Sequence, residues 1–371
     1  MNILILNSIG KKKWGGGESW MVLIAKELQQ KGHSVIIGCR RKSIIQANAE
    51  VAHIPVIPFD IYTDFSLIGI IQLIRVLRVN EIDVVIACQN KDVRIAGFAR
   101  AITCSQKPLI VARQGIQRIH NSWKYRITFT KLCDSIVTNT ASLKSLYDSY
   151  GWWNQQRVHV IHNGVELADN HEQTLDITQW ISRVDNIQPI VVATTCRLAK
   201  QKNLELLIDA AATIIEQDNR YYFLIAGEGK QRNVLQQKID RFGIGHRVKL
   251  IGFIPQVSHL LKASDIFVLP SAYEGMSNSI IEAMLAGLPV VCSNVNGAVE
   301  LITTNENGLL FDPNDTHTLV SHLLALSNPQ LRHKLGTKAR QTIVTQFSST
   351  QMAENYENYL TNLLAEFKRR S

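Results

Sequence analysis

The 371-residue chain has no run of about 18 uninterrupted apolar residues, so a membrane-spanning helix is not expected. Its apolar start, Met1 to Asn7, is too short for a secretory signal and lacks a basic leader. It reads as a buried first strand. There is no Cys-x-x-Cys pair. Cys39, Cys88, Cys104, Cys133, Cys196 and Cys292 are scattered, which argues against a disulfide framework or a zinc site and for a reducing cytoplasm. Short-period repeats, low-complexity tracts and an Asp-x-Asp pair are also missing. The apolar and charged fractions are ordinary for a soluble globular protein, so disorder is not the default.

What is present is length for two cores and an uneven charge. Residues 1–165 carry 21 Lys/Arg against 10 Asp/Glu, a balance of +11, whereas residues 166–371 carry 19 against 21, a balance of −2. A basic half fits an anionic partner: a membrane surface, an acidic lipid or nucleic acid. Charge alone does not choose, but no recognition motif supports nucleic acid.

Apolar runs of strand length alternate with amphipathic stretches. The first series is Ile3–Asn7, Ser34–Cys39, Val84–Ala87, Leu109–Ala112, Ile136–Thr138 and Val158–Ile161. The second is Ile190–Thr195, Tyr222–Ala226, Val248–Ile251, Ile266–Leu269 and Val290–Cys292. Continuous apolar runs fit strands buried on both faces of parallel sheets. Between them, Leu204, Leu207, Ile208, Ala211 and Ile215 show helical spacing. The alternation predicts an α/β protein of doubly wound units. The polar, partly acidic stretch at about 166–188 separates the series. The expected organisation is a first domain over 1–168, a linker over 169–188 and a second domain over 189–349.

Three motifs can carry chemistry. Gly15-Gly16-Gly17-Glu18 lies between the first strand and a helix expected to begin near Ser19. Glycines let a backbone approach a ligand, and a helix N-terminus offers N–H groups to an anion. The loop meets neither the G-x-G-x-x-G nor the Walker pattern, and a plain flexible turn is the alternative reading. Arg197 and Lys202 follow the strand Ile190–Thr195, where they could bracket a diphosphate or simply be solvated. The third motif is Glu274-Gly275-Met276-Ser277-Asn278-Ser279-Ile280-Ile281-Glu282, directly after Ile266–Leu269. Its small polar run should start a helix capped by Ser277 or Asn278. Isolated acids would be solvated, but the succession of strand, acid, glycine, cap and acid, then Gly287-Leu288-Pro289 into Val290-Val291, argues for a built site.

These residues resemble glycosyltransferase family 4, the retaining class with the GT-B fold of two Rossmann-like domains facing across a cleft. The resemblance is most specific from Glu274 to Met284 and continues through Gly287-Leu288-Pro289 to Gly297 and Glu300. Arg197-Leu198 with Lys202-Asn203, Ala226-Gly227-Glu228-Gly229, Ile161-His162-Asn163-Gly164-Val165 and Gly15-Gly16-Gly17 follow the family's other motifs in order. The match is strong in the C-terminal half and loose in the N-terminal half.

The resemblance implies roles. Arg197 and Lys202 would neutralise the donor diphosphate, and with Glu274 form the catalytic set. Glu274 and the segment Gly275, Met276, Ser277, Asn278 and Ser279 would hold the donor sugar and phosphate. Glu282 would bind the ribose hydroxyls. Gly227 and Phe253 would border the nucleotide, the latter at the base. Gly16 and Gly17 would close over the diphosphate, and a last helix, about 350–371, would pack back on the first domain. Arg113-Gln114-Gly115 stands where the family often has a histidine meeting the donor sugar, which makes Arg113 and Gln114 acceptor-side candidates and leaves the sugar open. Asn296 replaces a usual glycine before Gly297.

In such enzymes negative charge develops on the leaving phosphate, and fixed cations and helix N–H groups lower the barrier. No cofactor and no divalent metal are expected. A two-carboxylate hydrolase is the competing reading of Glu274 and Glu282; the resemblance makes them binding groups. The expected activity is transfer from a nucleotide-diphosphate sugar, UDP favoured over GDP, to a glycan or lipid-linked acceptor in cell-surface polysaccharide or lipopolysaccharide synthesis. The expected location is cytoplasmic, with the basic first domain on the inner face of an anionic membrane. Leu67–Arg78, Trp123–Lys131 and Lys11-Lys12-Lys13-Trp14 are candidates for that contact, although apolar helical stripes usually face a core. The rival readings are a nucleotide-sugar-binding protein without transferase activity, a GT-B epimerase or phosphorylase, and a Rossmann oxidoreductase.

Overall fold

The computed structural model describes residues 1–59, 61–103, 108–153, 157–167, 174–181 and 188–370. The chain forms two compact units, Met1–Glu166 with Ser349–Ser371, and Leu167–Ser348.

The first unit is a parallel sheet of seven strands: β1 (Asn2–Asn7), β2 (Ser34–Cys39), β3 (Val56–Pro58), β4 (Val84–Ala87), β5 (Leu109–Gln114), β6 (Ser135–Thr138) and β7 (Val158–Val160). Their order is β3-β2-β1-β4-β5-β6-β7. The helices are α1 (Gly16–Gln30), α2 (Ile44–Val51), α3 (Leu67–Val79), α4 (Asn90–Ile102), α5 (Trp123–Lys131) and α6 (Ala141–Asp148). Apolar residues cover both faces of the sheet. Leu4, Leu6, Val85 and Ile110 pack toward α3 and α4, while Ile3, Ile5, Ile86 and Val111 pack toward α1. This two-sided burial is why the strands read as continuous apolar runs.

Helix starts follow local chemistry. Ser43, Ser66 and Thr140 accept from backbone amides in the first turns of α2, α3 and α6. α1 begins at Gly16, three residues before the expected Ser19. The Gly15 carbonyl accepts from Glu18 and Ser19, so Gly16 and Gly17 form the first helical turn rather than a loop. Glu18 in that turn complements the helix dipole.

The second unit is a parallel sheet of six strands: β8 (Ile190–Thr195), β9 (Tyr221–Ala226), β10 (Val248–Gly252), β11 (Ile266–Leu269), β12 (Val290–Ser293) and β13 (Leu309–Phe311). Their order is β10-β9-β8-β11-β12-β13. Its helices are α7 (Leu204–Gln217), α8 (Arg232–Arg241), α9 (Val257–Lys262), α10 (Asn278–Leu285), α11 (Thr316–Ala325) and α12 (Pro329–Gln346). Leu204, Leu207, Ile208 and Ala211 are buried in the core under α7, and Ile215 packs against it. The last helix, α13 (Ser349–Arg370), belongs to the first unit and packs on α1, with Met352, Ala353, Tyr356 and Leu360 in its core.

Of the stretch read as a linker, 169–173 and 182–187 lie outside the described residues, as does Cys104. Within 174–181, Ile181 is buried and Leu175, Ile177 and Trp180 pack against Val191 and Leu224 of the second unit. Among the described residues no helix is long and apolar enough to cross a membrane.

Candidate functional site

The second unit gathers the strongest candidates at one sheet position. β8 and β11 are hydrogen-bonded neighbours, with Ile266 opposite Val192, although 70-odd residues of chain separate them. The strand order reverses there, since β9 and β10 lie on one side and β12 and β13 on the other. Ligands of open α/β sheets bind outside the carboxyl ends of strands at such a switch point. Arg197 and Lys202 follow β8, and Glu274 follows β11.

Backbone and amide bonds hold the two segments together. Lys200–Lys202 forms one 3₁₀ turn, closed by Asn203 in the left-handed region. The Ala272 amide donates to the Gln201 carbonyl at 2.8 Å, and Gln201 Nε2 donates to the Tyr273 carbonyl at 2.9 Å. These bonds set Lys202 against Glu274, and the two side chains form an ion pair. Ser271 Oγ donates to Glu274 Oε1 at 2.8 Å. Arg197 is exposed. Cys196, beside these charges, is buried enough that its thiol is pushed up to about 12, which makes it a poor nucleophile.

Gly275 to Ser277 lead into α10, whose N-cap, Ser277, makes no side-chain capping bond. Met276 and Ser277 are buried, while Asn278 and Ser279 are half-buried in the first turn. Gly297 packs on this turn: a Cβ there would stand 1.9 Å from the Gly275 carbonyl oxygen. Gly227, at φ +135°, ends β9 with its amide donated to the Gly252 carbonyl, and a Cβ would meet the Cys196 carbonyl at 1.8 Å. Both positions therefore demand glycine. Phe253, next to Gly252, is exposed. Glu282 lies one turn inside α10 and is half-buried; burial pushes its carboxyl up to about 7.

The candidates of the first unit lie apart from these in the chain. Arg113 is the penultimate residue of β5, not a loop residue. Its guanidinium lies 4.2 Å from the centre of the Trp20 ring and donates to Asn163 Oδ1 at 3.0 Å. It also lies near Gly17, whose added Cβ would be 3.6 Å from Nη1. Gln114 points to the other face of the sheet. Its Nε2 donates to Asn90 Oδ1 at 3.2 Å, and its buried Oε1 has no partner.

Sequence reasoning did not single out Ser271, Gln201, Trp20 or Asn90. Asn163 stands out in the sequence only as part of the Asn-Gly-Val segment. Their partners are far away in sequence, and no local pattern marks them.

A family model described as "Glycosyltransferase Family 4" matches residues 14–169, and one described as "Glycosyl transferases group 1" matches residues 181–342. The chain belongs to glycosyltransferase family 4. The fold is GT-B, with two Rossmann-like parallel-sheet domains. The family member is 28% identical over 220 residues to the UDP-Gal:alpha-D-GlcNAc-diphosphoundecaprenol alpha-1,3-galactosyltransferase of Escherichia coli, 56% of this chain and 55% of that one. It is 26% identical over 238 residues to the lipopolysaccharide core biosynthesis glycosyltransferase LpsE of Rhizobium meliloti, 64% and 67% of the two chains. The chain spans about half the length of several curated relatives it matches. Among solved structures, Anabaena Alr3699/HepE in complex with UDP superposes with a TM-score of 0.82 at 23% identity, over 98% of this chain and 100% of that one.

Proposed function

We propose that this family 4 member is a retaining glycosyltransferase using a nucleotide-diphosphate sugar, with UDP favoured over GDP. The carrying observation is the Lys202–Glu274 pair at the β8/β11 switch point, beside the start of α10, where the Ser277 side chain makes no capping bond. The HepE complex with UDP and the UDP-Gal donor in the Escherichia coli relative's name support the nucleotide.

In this reading Arg197 and Lys202 take the diphosphate, Arg197 through its planar fork and Lys202 as a point charge. Glu274, with Ser271, orients Lys202 and meets the donor sugar. The backbone of Gly275 to Ser279 opens toward the phosphate, and Gly227 lets the nucleotide approach the end of β9. Glu282 accepts from the ribose hydroxyls, and Phe253 borders the base. Gly16 and Gly17 at the start of α1 serve the diphosphate, while Arg113 and Gln114 serve the acceptor or the sugar.

Chemically, the bond from the anomeric carbon to the diphosphate oxygen breaks and the acceptor oxygen bonds to that carbon on the same face. The acceptor proton passes to the departing phosphate oxygen. The two cations stabilise the charge that develops there, so the reading requires no divalent ion. The acceptor is a glycan or a lipid-linked glycan of the cell surface, consistent with the named roles of the relatives. The enzyme then works in the cytoplasm, at the inner face of the membrane.

Incubation of the protein with a panel of UDP-sugars and undecaprenyl-linked acceptors tests the reading. Transfer with retention at the anomeric carbon supports it. Donor hydrolysis alone, or binding without turnover on every acceptor, contradicts it.

A further inference from the structure

Two loops at the carboxyl ends of β1 and β2 bring six cations together. Lys11, Lys12 and Lys13 follow β1, and Arg40, Arg41 and Lys42 follow β2. The Ile44 amide donates to the Lys11 carbonyl at 3.0 Å, which ties the loops side by side. No carboxylate among the described residues pairs with any of the six, although acids elsewhere in the unit do pair, such as Asp64 and Asp148.

An apolar strip continues from this cluster. The Arg40 guanidinium lies 4.6 Å from the centre of the Tyr62 ring and donates to the Ile61 carbonyl. Phe65 follows, and then α3, which is apolar on both sides. Its inner face, Ile70, Leu73 and Leu77, is buried in the core. Its outer face exposes Leu67, Ile68 and Ile71 at 72%, 68% and 67%, and Arg75 and Arg78 continue that stripe. Asp64 joins the strip to α5 by accepting from Lys124 at 2.9 Å. There Trp123, 76% exposed, and Ile127 stand among Lys124, Arg126 and Lys131. A core requirement explains the inner stripe of α3 and leaves the outer one unexplained. Contiguous exposed apolar surface of this kind marks an interaction site.

We propose that this face docks the protein on an anionic lipid bilayer. A soluble polyanion would use the cations and leave the apolar strip idle. An apolar protein groove would use the strip and leave idle the cations, none of which has a carboxylate partner among the described residues. A bilayer uses both: aromatic side chains at the headgroups, aliphatic ones at the acyl boundary and cations on lipid phosphates. The proposal deepens the reading of a membrane-linked acceptor and rests on it for its purpose, but the binding is a property of this surface and does not need the donor site.

The test is co-sedimentation of the full chain with phosphatidylglycerol–phosphatidylcholine vesicles and with pure phosphatidylcholine vesicles at physiological salt. The mixed vesicles should carry the protein down and the neutral ones should not. Lys12→Glu with Arg41→Glu should weaken vesicle binding by at least about tenfold, each basic residue near such a surface being a measurable share of the affinity. Ile71→Ser with Trp123→Ser should weaken it comparably. The melting temperature of each variant separates lost docking from lost folding, because all four positions are exposed. Lys202→Ala should sediment like the wild type, so failure of the donor reading with intact vesicle binding leaves this proposal standing. Equal binding to neutral vesicles, or no vesicle binding, overturns it. Full displacement by soluble polyphosphate with no effect of the Ile71 and Trp123 changes also overturns it and assigns the cations to a soluble polyanion.

Discussion

The Lys202 ammonium and the Glu274 carboxylate form an ion pair across 72 residues of sequence, with little of either side chain exposed. Removal of the cation leaves the carboxylate with Ser271 as its partner among the described residues, and takes away one of the two cations, Arg197 and Lys202, assigned to the diphosphate. Lys202→Ala should weaken UDP binding by about tenfold or more and lower transfer by about 10²–10³, the range for loss of one preorganised charge-stabilising group. Calorimetry and a transfer assay measure the two effects. Unchanged affinity for UDP would show that the pair is only structural.

Glu282 supplies a pH dependence of known sign. Burial raises its carboxyl from 4.5 to about 7, so the folded state holds the proton more tightly than the unfolded chain. Its contribution to stability is fully present below pH 4.5 and is lost as pH rises through about 7. Glu282→Gln should therefore remove a decline in melting temperature between those pH values, seen as a wild-type minus variant difference. In the proposed site the ionised form accepts from the ribose, so the variant should also lose the strengthening of UDP binding as pH rises through about 7.

Asp92 makes a different test, confined to the first unit. It is fully buried at the start of α4 and accepts from the amides of Ser8 at 3.2 Å and Gln89 at 3.0 Å, and from the Ser8 hydroxyl. Asp92→Ala orphans these donors and should cost about 2–4 kcal/mol, from about 1–3 kcal/mol per unsatisfied buried group. Chemical denaturation reads the loss directly. A cost below about 1 kcal/mol would mean that water replaces the carboxylate.

Gly297→Ala probes the turn that carries Glu274. The new Cβ would stand 1.9 Å from the Gly275 oxygen, a backbone atom that can yield only by shifting the turn. The substitution should lower both the melting temperature and the affinity for UDP. Loss of stability with full affinity would separate the turn from the ligand site.

Strands buried on both faces were the most legible part of the fold. Ser34–Cys39, Val84–Ala87, Ile190–Thr195 and Ile266–Leu269 have the expected ends, because unbroken apolar runs bounded by polar residues leave little freedom. The apolar runs of β3 and β13, Val56-Ile57-Pro58 and Leu309-Leu310-Phe311, are too short to mark a strand, and Pro58 closes β3 at the sheet edge. β5 extends two residues beyond its expected end. Arg113 and Gln114 are polar, yet each finds side-chain partners on its own face of the sheet, and sequence alone does not show those partners. α1 starts earlier than its three glycines suggest, because the Gly15 carbonyl accepts two amides and begins the helix. Individual site motifs were visible at strand ends. Their convergence depends on the pairing of β8 with β11, which is a property of topology rather than of either motif.

The account depends most on the second unit holding a nucleoside diphosphate. The direct measurement is calorimetric titration of the purified protein with UDP, GDP, ADP and NAD⁺ in the presence of EDTA. The account predicts micromolar binding of one nucleoside diphosphate, UDP before GDP, with NAD⁺ inert and with the affinity lost in Lys202→Ala. Binding of none of them, or of NAD⁺ in preference, would contradict it.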